Sequence, residues 1–180
     1  MRGGWLGALI VVAVLVAACT DRMPQPSEVP GGACGDLPPR TSPTDFPVAV
    51  LHVAGDDLPP VVGEVEWLGG EEPVATAAAR AIHLERFTVL QATGASELSL
   101  RLSDGVSIAE WQIDAIPNDA FRRGDLDDSE SWSTGSEPSE IVCVPITDGA
   151  WLIRAELTFA DDAGHGVYYW RLNVEGSPEA

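Results

Sequence analysis

Apolar and polar residues alternate with a period of two from about position 47 onward, most regularly near the C-terminus. In the segment 151–159, one face carries Trp151, Ile153, Ala155, Leu157 and Phe159. In the segment 167–174, one face carries Tyr168, Trp170, Leu172 and Val174. Successive side chains of a strand point to opposite faces, so both segments are predicted to be half-buried strands. The polar, glycine-containing link at 160–166 predicts that they form a hairpin.

The same alternation predicts further strands, at 48–53, 61–68, 86–92, 98–102, 106–116 and 141–146. Asp104-Gly105 lies between two of these segments and predicts a second hairpin turn. The apolar positions shift by an odd step between Ile108 and Trp111, which a β-bulge explains. Pro73 and the alanines that follow it predict a short helix or coil before the strand at 86–92.

About seven or eight short strands separated by turns predict an all-β fold, an antiparallel β-sandwich with room for one short helix. The sandwich is predicted to span residues 47–176, and residues 177–180 are predicted to be a disordered tail. The order of the strands resembles an immunoglobulin-like domain in a general way. Cys34 and Cys143 do not flank a tryptophan at the immunoglobulin spacing, so the resemblance implies a fold and no function.

The first 18 residues have the pattern of a signal peptide, with Arg2, a long apolar run and then small residues. A helix of about 14 apolar residues is about 21 Å long, shorter than the roughly 30 Å hydrocarbon core of a membrane. The sequence Val16-Ala17-Ala18-Cys19 resembles the lipobox of bacterial lipoproteins. This resemblance implies cleavage before Cys19, diacylglycerol on its sulfur, and a lipid anchor at the extracytoplasmic face of the cell membrane. An ordinary secretory signal, cleaved at an alanine-rich site, is the alternative.

Residues 19–46 are predicted to be a tether between the lipid and the sandwich. Proline restricts the backbone and removes hydrogen-bond donors from this segment, at Pro24, Pro26, Pro30, Pro38, Pro39 and Pro43. Cys34 and Cys143 remain after Cys19 is lipidated, and in an oxidising compartment we predict that they form a disulfide bond. A redox or nucleophilic cysteine pair is the alternative, but it lacks close spacing and a neighbouring His or Lys.

The chain is strongly acidic, with a formal net charge of −18 and no lysine. Such a surface repels phosphate backbones and anionic lipid headgroups, which argues against nucleic-acid binding. It favours cations and basic partners instead.

The most acidic segment, 118–140, has two candidate binding features. Asp125, Asp127 and Asp128 begin like a calcium-binding loop, although Glu130 replaces the glycine of the sharp turn and Ser136 replaces the closing Glu of an EF-hand. A solvated, mobile loop is the simpler interpretation. Trp132 lies in the same segment and is a candidate anchor for a partner protein, the alternative being that it folds back onto the sandwich.

Catalytic patterns are absent from the sequence: it has no paired His ligands for zinc, no Gly-x-Ser-x-Gly nucleophile elbow and no nucleotide-binding glycine motif. We therefore expect that the protein is not an enzyme. The predicted function is a lipid-anchored, non-catalytic binding or structural module at the cell envelope, with an envelope protein as its partner. The alternative is an extracytoplasmic binder of a cation, such as calcium, or of a solute; an envelope hydrolase has the least support. No cofactor other than calcium is predicted.

Overall fold

A computed structural model describes residues 44–76 and 87–176, and in them nearly every element is a β-strand. The strands are β1 (Ala49–Val53), β2 (Asp56–Leu58), β3 (Val61–Trp67), β4 (Val74–Thr76), β5 (Val89–Thr93), β6 (Glu97–Leu102), β7 (Ile108–Pro117), β8 (Glu130–Gly135), β9 (Val142–Pro145), β10 (Gly149–Phe159) and β11 (Gly164–Glu175). One α-helix, α1 (Asn118–Arg123), follows β7. Single 3-10 turns lie at Ser103–Gly105 and Ala160–Asp162.

The strands form two sheets that confirm the predicted all-β sandwich. The small sheet has the order β2-β1-β6-β9, and the large sheet has the order β4-β3-β11-β10-β7-β8. Among the described residues, every strand pair is antiparallel except β5, which runs parallel to the C-terminal half of β11. The predicted C-terminal hairpin is confirmed, because β10 pairs with β11 from Gly149↔Val174 to Thr158↔His165.

The main hydrophobic core lies between the two sheets. Its largest fully buried side chains are Trp170, Tyr168, Phe159, Leu51, Leu98, Leu100, Ile108, Ile113, Ile153, Leu157 and Leu172. Two ring donors of β11 bind backbone carbonyls next to the small sheet: Tyr168 Oη donates to Pro47 O at 2.7 Å, and Trp170 Nε1 donates to Leu58 O at 2.9 Å. Because these bonds satisfy buried polar groups, they hold the two sheets in one relative position. Burial also raises the pKa of the Tyr168 phenol.

A second, smaller apolar cluster lies on the other face of the large sheet, the face turned away from the small sheet, which we call the outer face. Ile116, Leu152 and Ala120 are buried there, and the partly buried side chains that pack against them are Phe87, Phe121 and Tyr169. Leu152 lies between Trp151 and Ile153, both of which belong to the main core. The large sheet is therefore buried on both faces where α1 packs against it.

The predicted second hairpin is wrong, although the turn is in the predicted place. Residues Ser103–Gly105 connect β6 in the small sheet to β7 in the large sheet, with Asp104 and Gly105 at positive φ values of 60° and 69°. The two strands lie in different sheets, and both contribute apolar side chains to the core between the sheets, so they do not pair edge to edge. The predicted bulge is confirmed: Thr158 pairs with Glu110 and Phe159 with Ile108, which leaves Ala109 as the extra residue.

Several elements were not predicted, and residues 44–76 and 87–176 form eleven strands where seven or eight were expected for the sandwich. The predicted mobile loop at 118–140 is wrong, because it contains α1 and β8. The helix or coil predicted from Pro73 onward is wrong for Val74–Thr76, which pairs with β3. There Thr76 Oγ1 accepts a hydrogen bond from the Val65 N–H at 2.9 Å. The remainder of that segment, 77–86, lies outside the described residues.

The predicted signal peptide at 1–18, the tail at 177–180 and most of the tether at 19–46 also lie outside the described residues. Within the described ranges, no helix is both long and apolar enough to cross a membrane.

Candidate functional site

Strand register brings three functional side chains into one row across the outer face. Arg154 of β10 lies directly opposite Asp114 of β7 on one side and Tyr169 of β11 on the other. Side chains that are directly opposite on neighbouring strands share a face and contact one another. We call Asp114, Arg154 and Tyr169 the outer row.

Asp114 is the buried charge of this row, with only 6% of its surface exposed. Gln112 Nε2 donates to its carboxylate at 2.9 Å and 3.3 Å. Arg154 Nη1 lies 3.7 Å from Asp114 Oδ2, and Arg154 Nη2 is hydrogen-bonded to Glu156. A buried carboxylate is stable only when partners compensate for its lost hydration, and these two side chains supply that compensation.

A cavity of ≈ 300 Å³ opens beside the outer row, under the segment that joins α1 to β8. We call it the α1 pocket, and its lining residues are Asp114, Ile116, Phe121, Leu126, Asp127, Ser129, Leu152, Arg154 and Tyr169. Ile116 and Leu152 are buried and apolar, whereas Leu126, Asp127 and Ser129 are exposed. The α1 pocket thus combines apolar surface with a few charged and polar groups, the usual composition of a ligand site.

The Tyr169 ring borders the α1 pocket because β3 carries a glycine beneath it. A Cβ atom on Gly63 would lie 2.7 Å from Tyr169 Cε2, closer than side chains tolerate. The register changes at this point, since Gly166 pairs with Val65 and Tyr168 with Val62. Gly63 therefore allows the phenol ring to lie against the β3 backbone.

The position of α1 is fixed at both of its ends. With its amide oxygen turned toward Arg171, Asn118 accepts hydrogen bonds from Nε and Nη2 of Arg171, both at 3.1 Å. At the C-terminus, Gly124 has a φ of 79°, its N–H donates to Phe121 O at 3.0 Å, and the Asp125 N–H donates to Ala120 O at 3.0 Å. This pair of bonds is a Schellman motif, which ends the helix and directs the chain over the α1 pocket.

An arginine of α1 also contacts the segment that covers the α1 pocket. Arg123 Nη1 donates to Asp119 Oδ2 at 2.7 Å, and Arg123 Nη2 lies 3.8 Å from Asp128 Oδ2. The hydrogen bond from Arg123 holds the pKa of Asp119 below its usual value. These exposed ion pairs favour the observed course of residues 124–128 but contribute little to stability.

The three aspartates proposed as calcium ligands have separate structural roles. Asp125 closes the helix-terminal motif through its N–H, Asp127 lines the α1 pocket, and Asp128 lies near Arg123. Over 44–76 and 87–176, no group of three or more His, Cys, Asp or Glu side chains is arranged to hold a metal ion. The calcium hypothesis therefore gains no support from the geometry.

Trp132 lies in β8 rather than in a loop, and it is half-buried. Ile113 pairs with Ser133 and Asp114 with Ser131, which leaves Trp132 as the extra residue of a bulge. Its ring packs edge-on against Trp151 with the ring centroids 5.3 Å apart. Trp132 thus folds back onto the sandwich, and its predicted contact with a partner protein stays a prediction.

Cys143 lies on β9 with its side chain exposed, directly opposite Ser99 of β6. It takes part in a disulfide bond. Cys19 and Cys34 both lie outside the described residues. Lipidation of Cys19 and pairing of Cys34 with Cys143 therefore stay predictions.

The rest of the outer face, beyond the α1 pocket, is open and polar. A shallow depression of ≈ 610 Å³ there is lined by Glu110, Gln112, Glu156, Thr158 and His165, among others. His165 Nδ1 lies 3.5 Å from Glu66 Oε2, and both side chains are about half exposed. This depression is wider and more open than the α1 pocket, so it would enclose less of a ligand.

Sequence reasoning missed the outer row, although the alternation that puts Ile153 and Ala155 on the apolar face of the strand puts Arg154 on the opposite face. The available signal was Leu152, an apolar residue on the same face as Arg154 and Glu156. An apolar residue on a polar face indicates that something covers that end of the strand. The identity of the covering element, α1, could not be read from the composition of 118–140.

Comparison with known proteins gives a distant structural match and no family. No family model and no curated protein match the chain. Among solved structures, a polysaccharide monooxygenase described as CBM33 has 16% sequence identity and a TM-score of 0.35. The match covers 50% of this chain and 60% of that one, so this chain spans less than two thirds of its length. A likeness of this degree carries no argument about activity.

Proposed function

We propose that this protein is a lipid-anchored, non-catalytic binding module at the extracytoplasmic face of the cell membrane, and that it binds its partner at the α1 pocket. One observation carries the binding part of this proposal. A nearly buried carboxylate, Asp114, borders a cavity with an apolar base on a sheet face that is otherwise solvated.

The composition of the α1 pocket supports binding rather than a purely structural role. Leu126, at its rim, is 53% exposed and is one of two exposed large hydrophobic residues in the described chain, the other being Leu68. An exposed apolar residue beside a cavity gives a partner apolar area to bury. Ligand sites combine such area with a small number of polar groups that fix orientation, as Asp114 and Arg154 do here.

The anchoring part of the proposal rests on the lipobox-like sequence and the proline-rich segment that follows it. Acylation at Cys19 supplies two acyl chains, which is what stable anchoring to a membrane requires. A disulfide bond between Cys34 and Cys143 joins the tether to β9 of the small sheet. The α1 pocket is on the large sheet, so this attachment leaves it accessible to a partner.

Anchoring is tested by the fate of a Cys19→Ala chain in the producing cell. We expect the wild-type chain to incorporate labelled fatty acid and to fractionate with membranes, whereas Cys19→Ala does neither. Incorporation of label by Cys19→Ala, or membrane fractionation of it, contradicts the lipid anchor. Thiol titration of the unfolded chain without reductant tests the disulfide bond: no free thiol is expected, and two contradict the pairing.

Binding is tested by photo-crosslinking in the envelope with the full chain. A photoreactive phenylalanine analogue replaces Leu126, at the α1 pocket, or Leu68 as a matched control that is 50% exposed. We expect a discrete adduct from position 126 and none from position 68, and we expect Leu152→Ala to remove the adduct from position 126. Equal adducts at both positions, or none at either, contradict the proposal.

A further inference from the structure

The charges that line the α1 pocket point to the chemistry of its ligand. Asp114 and Asp127 are both in the lining, whereas Arg154 is the basic lining residue. Arg154 is itself shared between Asp114 and Glu156. Acidic groups are therefore in excess at the α1 pocket, as they are in the whole chain, whose net charge is −18. Complementarity favours a cation as the ligand.

Asp114 keeps hydrogen-bonding capacity for such a cation. Its hydrogen bonds come from the Gln112 amide, while Arg154 Nη1 at 3.7 Å is an ion-pair contact beyond hydrogen-bond range. A carboxylate has two oxygens with about four acceptor sites in total. A donor entering the α1 pocket therefore finds an acceptor that is already desolvated, which strengthens the contact.

The apolar part of the lining matches a long basic side chain rather than a bare ion. Phe121, which is half-buried, and Leu126, which is exposed, give a surface for a methylene stem, and Tyr169 gives an aromatic ring beside the charged groups. Lysine and arginine bury their stems on such surface while their charged ends stay in polar surroundings. A planar guanidinium also stacks on an aromatic ring and binds a carboxylate through two donors, which favours arginine over lysine.

The size of the α1 pocket limits how much of a partner it takes. Its ≈ 300 Å³ is at the lower end of the roughly 300–1,000 Å³ range for small-molecule sites. That volume suits one extended side chain. Exposed Leu126 and Ser129 at the rim are then positioned to contact the partner backbone on either side.

We propose that the α1 pocket receives one arginine side chain of a protein partner, with its stem on Phe121 and Leu126 and its guanidinium at Asp114. This inference rests on the proposed function and specifies the class of ligand. The Asp114 carboxylate orients the guanidinium, and Asp127 adds charge at the entrance. The partner is accordingly expected to be basic, which fits the acidity of the whole chain.

The inference is tested by NMR titration of the full chain in detergent micelles with a capped pentapeptide, Gly-Gly-Arg-Gly-Gly. The control peptide carries citrulline, which has nearly the same shape without the charge. We expect saturable shifts of the Leu126 and Ser129 amide signals with the arginine peptide, and at least about tenfold weaker binding of the citrulline peptide. A glutamate peptide is expected to leave these signals unchanged. No saturable shift, or equal binding of the arginine and citrulline peptides, overturns the inference.

Substitutions separate a site effect from a general charge effect. Asp114→Asn is expected to weaken binding of the arginine peptide about tenfold or more. Asp127→Asn is expected to weaken it about two- to fivefold, and it changes an exposed position that does not threaten folding. Glu140→Gln removes the same charge at an exposed position outside the α1 pocket and is expected to leave binding unchanged. An equal loss of peptide binding in all three variants indicates non-specific charge attraction and overturns the assignment of binding to the α1 pocket.

Two further outcomes have defined meanings. If butylguanidine binds more tightly than the peptide, the ligand is a small free cation, and the protein partner is overturned. If crosslinking at position 126 succeeds while every peptide fails, the inference about arginine falls and the proposed function stands. If both fail, the proposed function falls as well.

Discussion

The two ends of the outer face are built from the same strands, yet they differ in what covers them. At the α1 end, Leu152 and Ile116 are buried and Asp114 is nearly so. At the open end, Glu110 and Thr158 lie on the same strands and are exposed. At the open end polar side chains alternate along β7 and β10, whereas at the α1 end Leu152 and Ile116 interrupt this alternation. The helix that follows β7 makes the difference, because it converts solvated sheet surface into a pocket with a desolvated carboxylate.

The largest effects on the free energy of unfolding are expected from two residues on opposite faces of β10. Leu152 and Ile153 are neighbours, both fully buried, and face the outer cluster and the main core respectively. Replacing either with alanine is expected to lower the free energy of unfolding by about 2–5 kcal/mol, because each leaves a cavity. Denaturant unfolding measures this cost, and Thr158→Ala, exposed on the same strand, is the control with a change within about 0.5 kcal/mol.

If α1 packs as described, Leu152→Ala removes binding at the α1 pocket even when the fold is retained. Ile153→Ala, assayed below its melting temperature, retains binding. If Leu152→Ala lowers the free energy of unfolding by less than about 0.5 kcal/mol, the assignment of Leu152 to a buried outer cluster is wrong.

A smaller effect is expected from the carboxylates at the two ends. Asp114→Asn removes a nearly buried charge and leaves Arg154 with one acidic partner fewer, so we expect a loss of about 1–3 kcal/mol. Glu110→Gln at the open end changes an exposed carboxylate, and we expect a change within about 0.5 kcal/mol. Urea denaturation of the two variants gives the difference directly. Equal stabilities of the two variants contradict the contrast between the ends.

Two adjacent tyrosines of β11 allow the pH dependence of stability to be compared between the two faces of the large sheet. Tyr168 lies on the core face, and Tyr169 lies on the outer face. Burial raises the pKa of Tyr168 above the ordinary tyrosine value of 10.0. A raised folded-state pKa means that this contribution to stability is intact below pH 10.0 and is lost as the pH rises above it, because the unfolded chain ionises first. Tyr168→Phe is expected to cost about 1 kcal/mol at neutral pH, since the bond to Pro47 O is lost.

Melting temperature as a function of pH measures the alkaline effect. Wild type is expected to lose stability above pH 10.0, and Tyr168→Phe is expected to lose less. Tyr169→Phe, on the outer face, keeps the steep loss of the wild type. If both variants have the same alkaline profile as wild type, the buried phenol is not its source.

The smallest effect is expected at the exposed end of α1. The hydrogen bond from Arg123 holds the pKa of Asp119 below the ordinary aspartate value of 3.8. Its contribution to stability is therefore present above pH 3.8 and is lost as the pH falls through the lower folded-state pKa. Asp119→Asn removes this acid dependence and changes neutral-pH stability only slightly, since both partners are exposed. Melting curves between about pH 2 and pH 6 compare the variant with wild type. A steeper acid loss in the variant contradicts this assignment.

Most of the fold could be predicted from sequence because most strands bury one face. Alternation located β1, β3, β6, β7, β10 and β11, and the phase shift near Ile108 located a bulge. The strand pairing of β6 could not be predicted, because an Asp-Gly turn joins strands within a sheet or between sheets. The outcome depends on pairing with strands distant in sequence: β6 pairs with β1 and β9, and β7 pairs with β10 and β8.

The candidate site was less predictable, because it depends on a segment whose composition resembles a loop. Ser131 and Ser133 form strand β8 because β7 offers an unpaired edge, and Trp132 is buried by a bulge that alternation cannot anticipate. Asp114, Arg154 and Tyr169 could be placed on a common polar face. Their desolvation required knowing that Phe121 and Ala120 pack over Leu152.

Hydrogen–deuterium exchange of the full chain, in intact envelopes and after purification in detergent, tests the central claim most directly. A partner seated at the α1 pocket protects backbone amides of the covering segment, residues 124–130. We predict slower exchange of 124–130 in the envelope than in detergent, with residues 158–166 at the open end exchanging equally in both. Equal exchange of 124–130 in the two preparations, or protection confined to 158–166, would contradict a binding site at the α1 pocket.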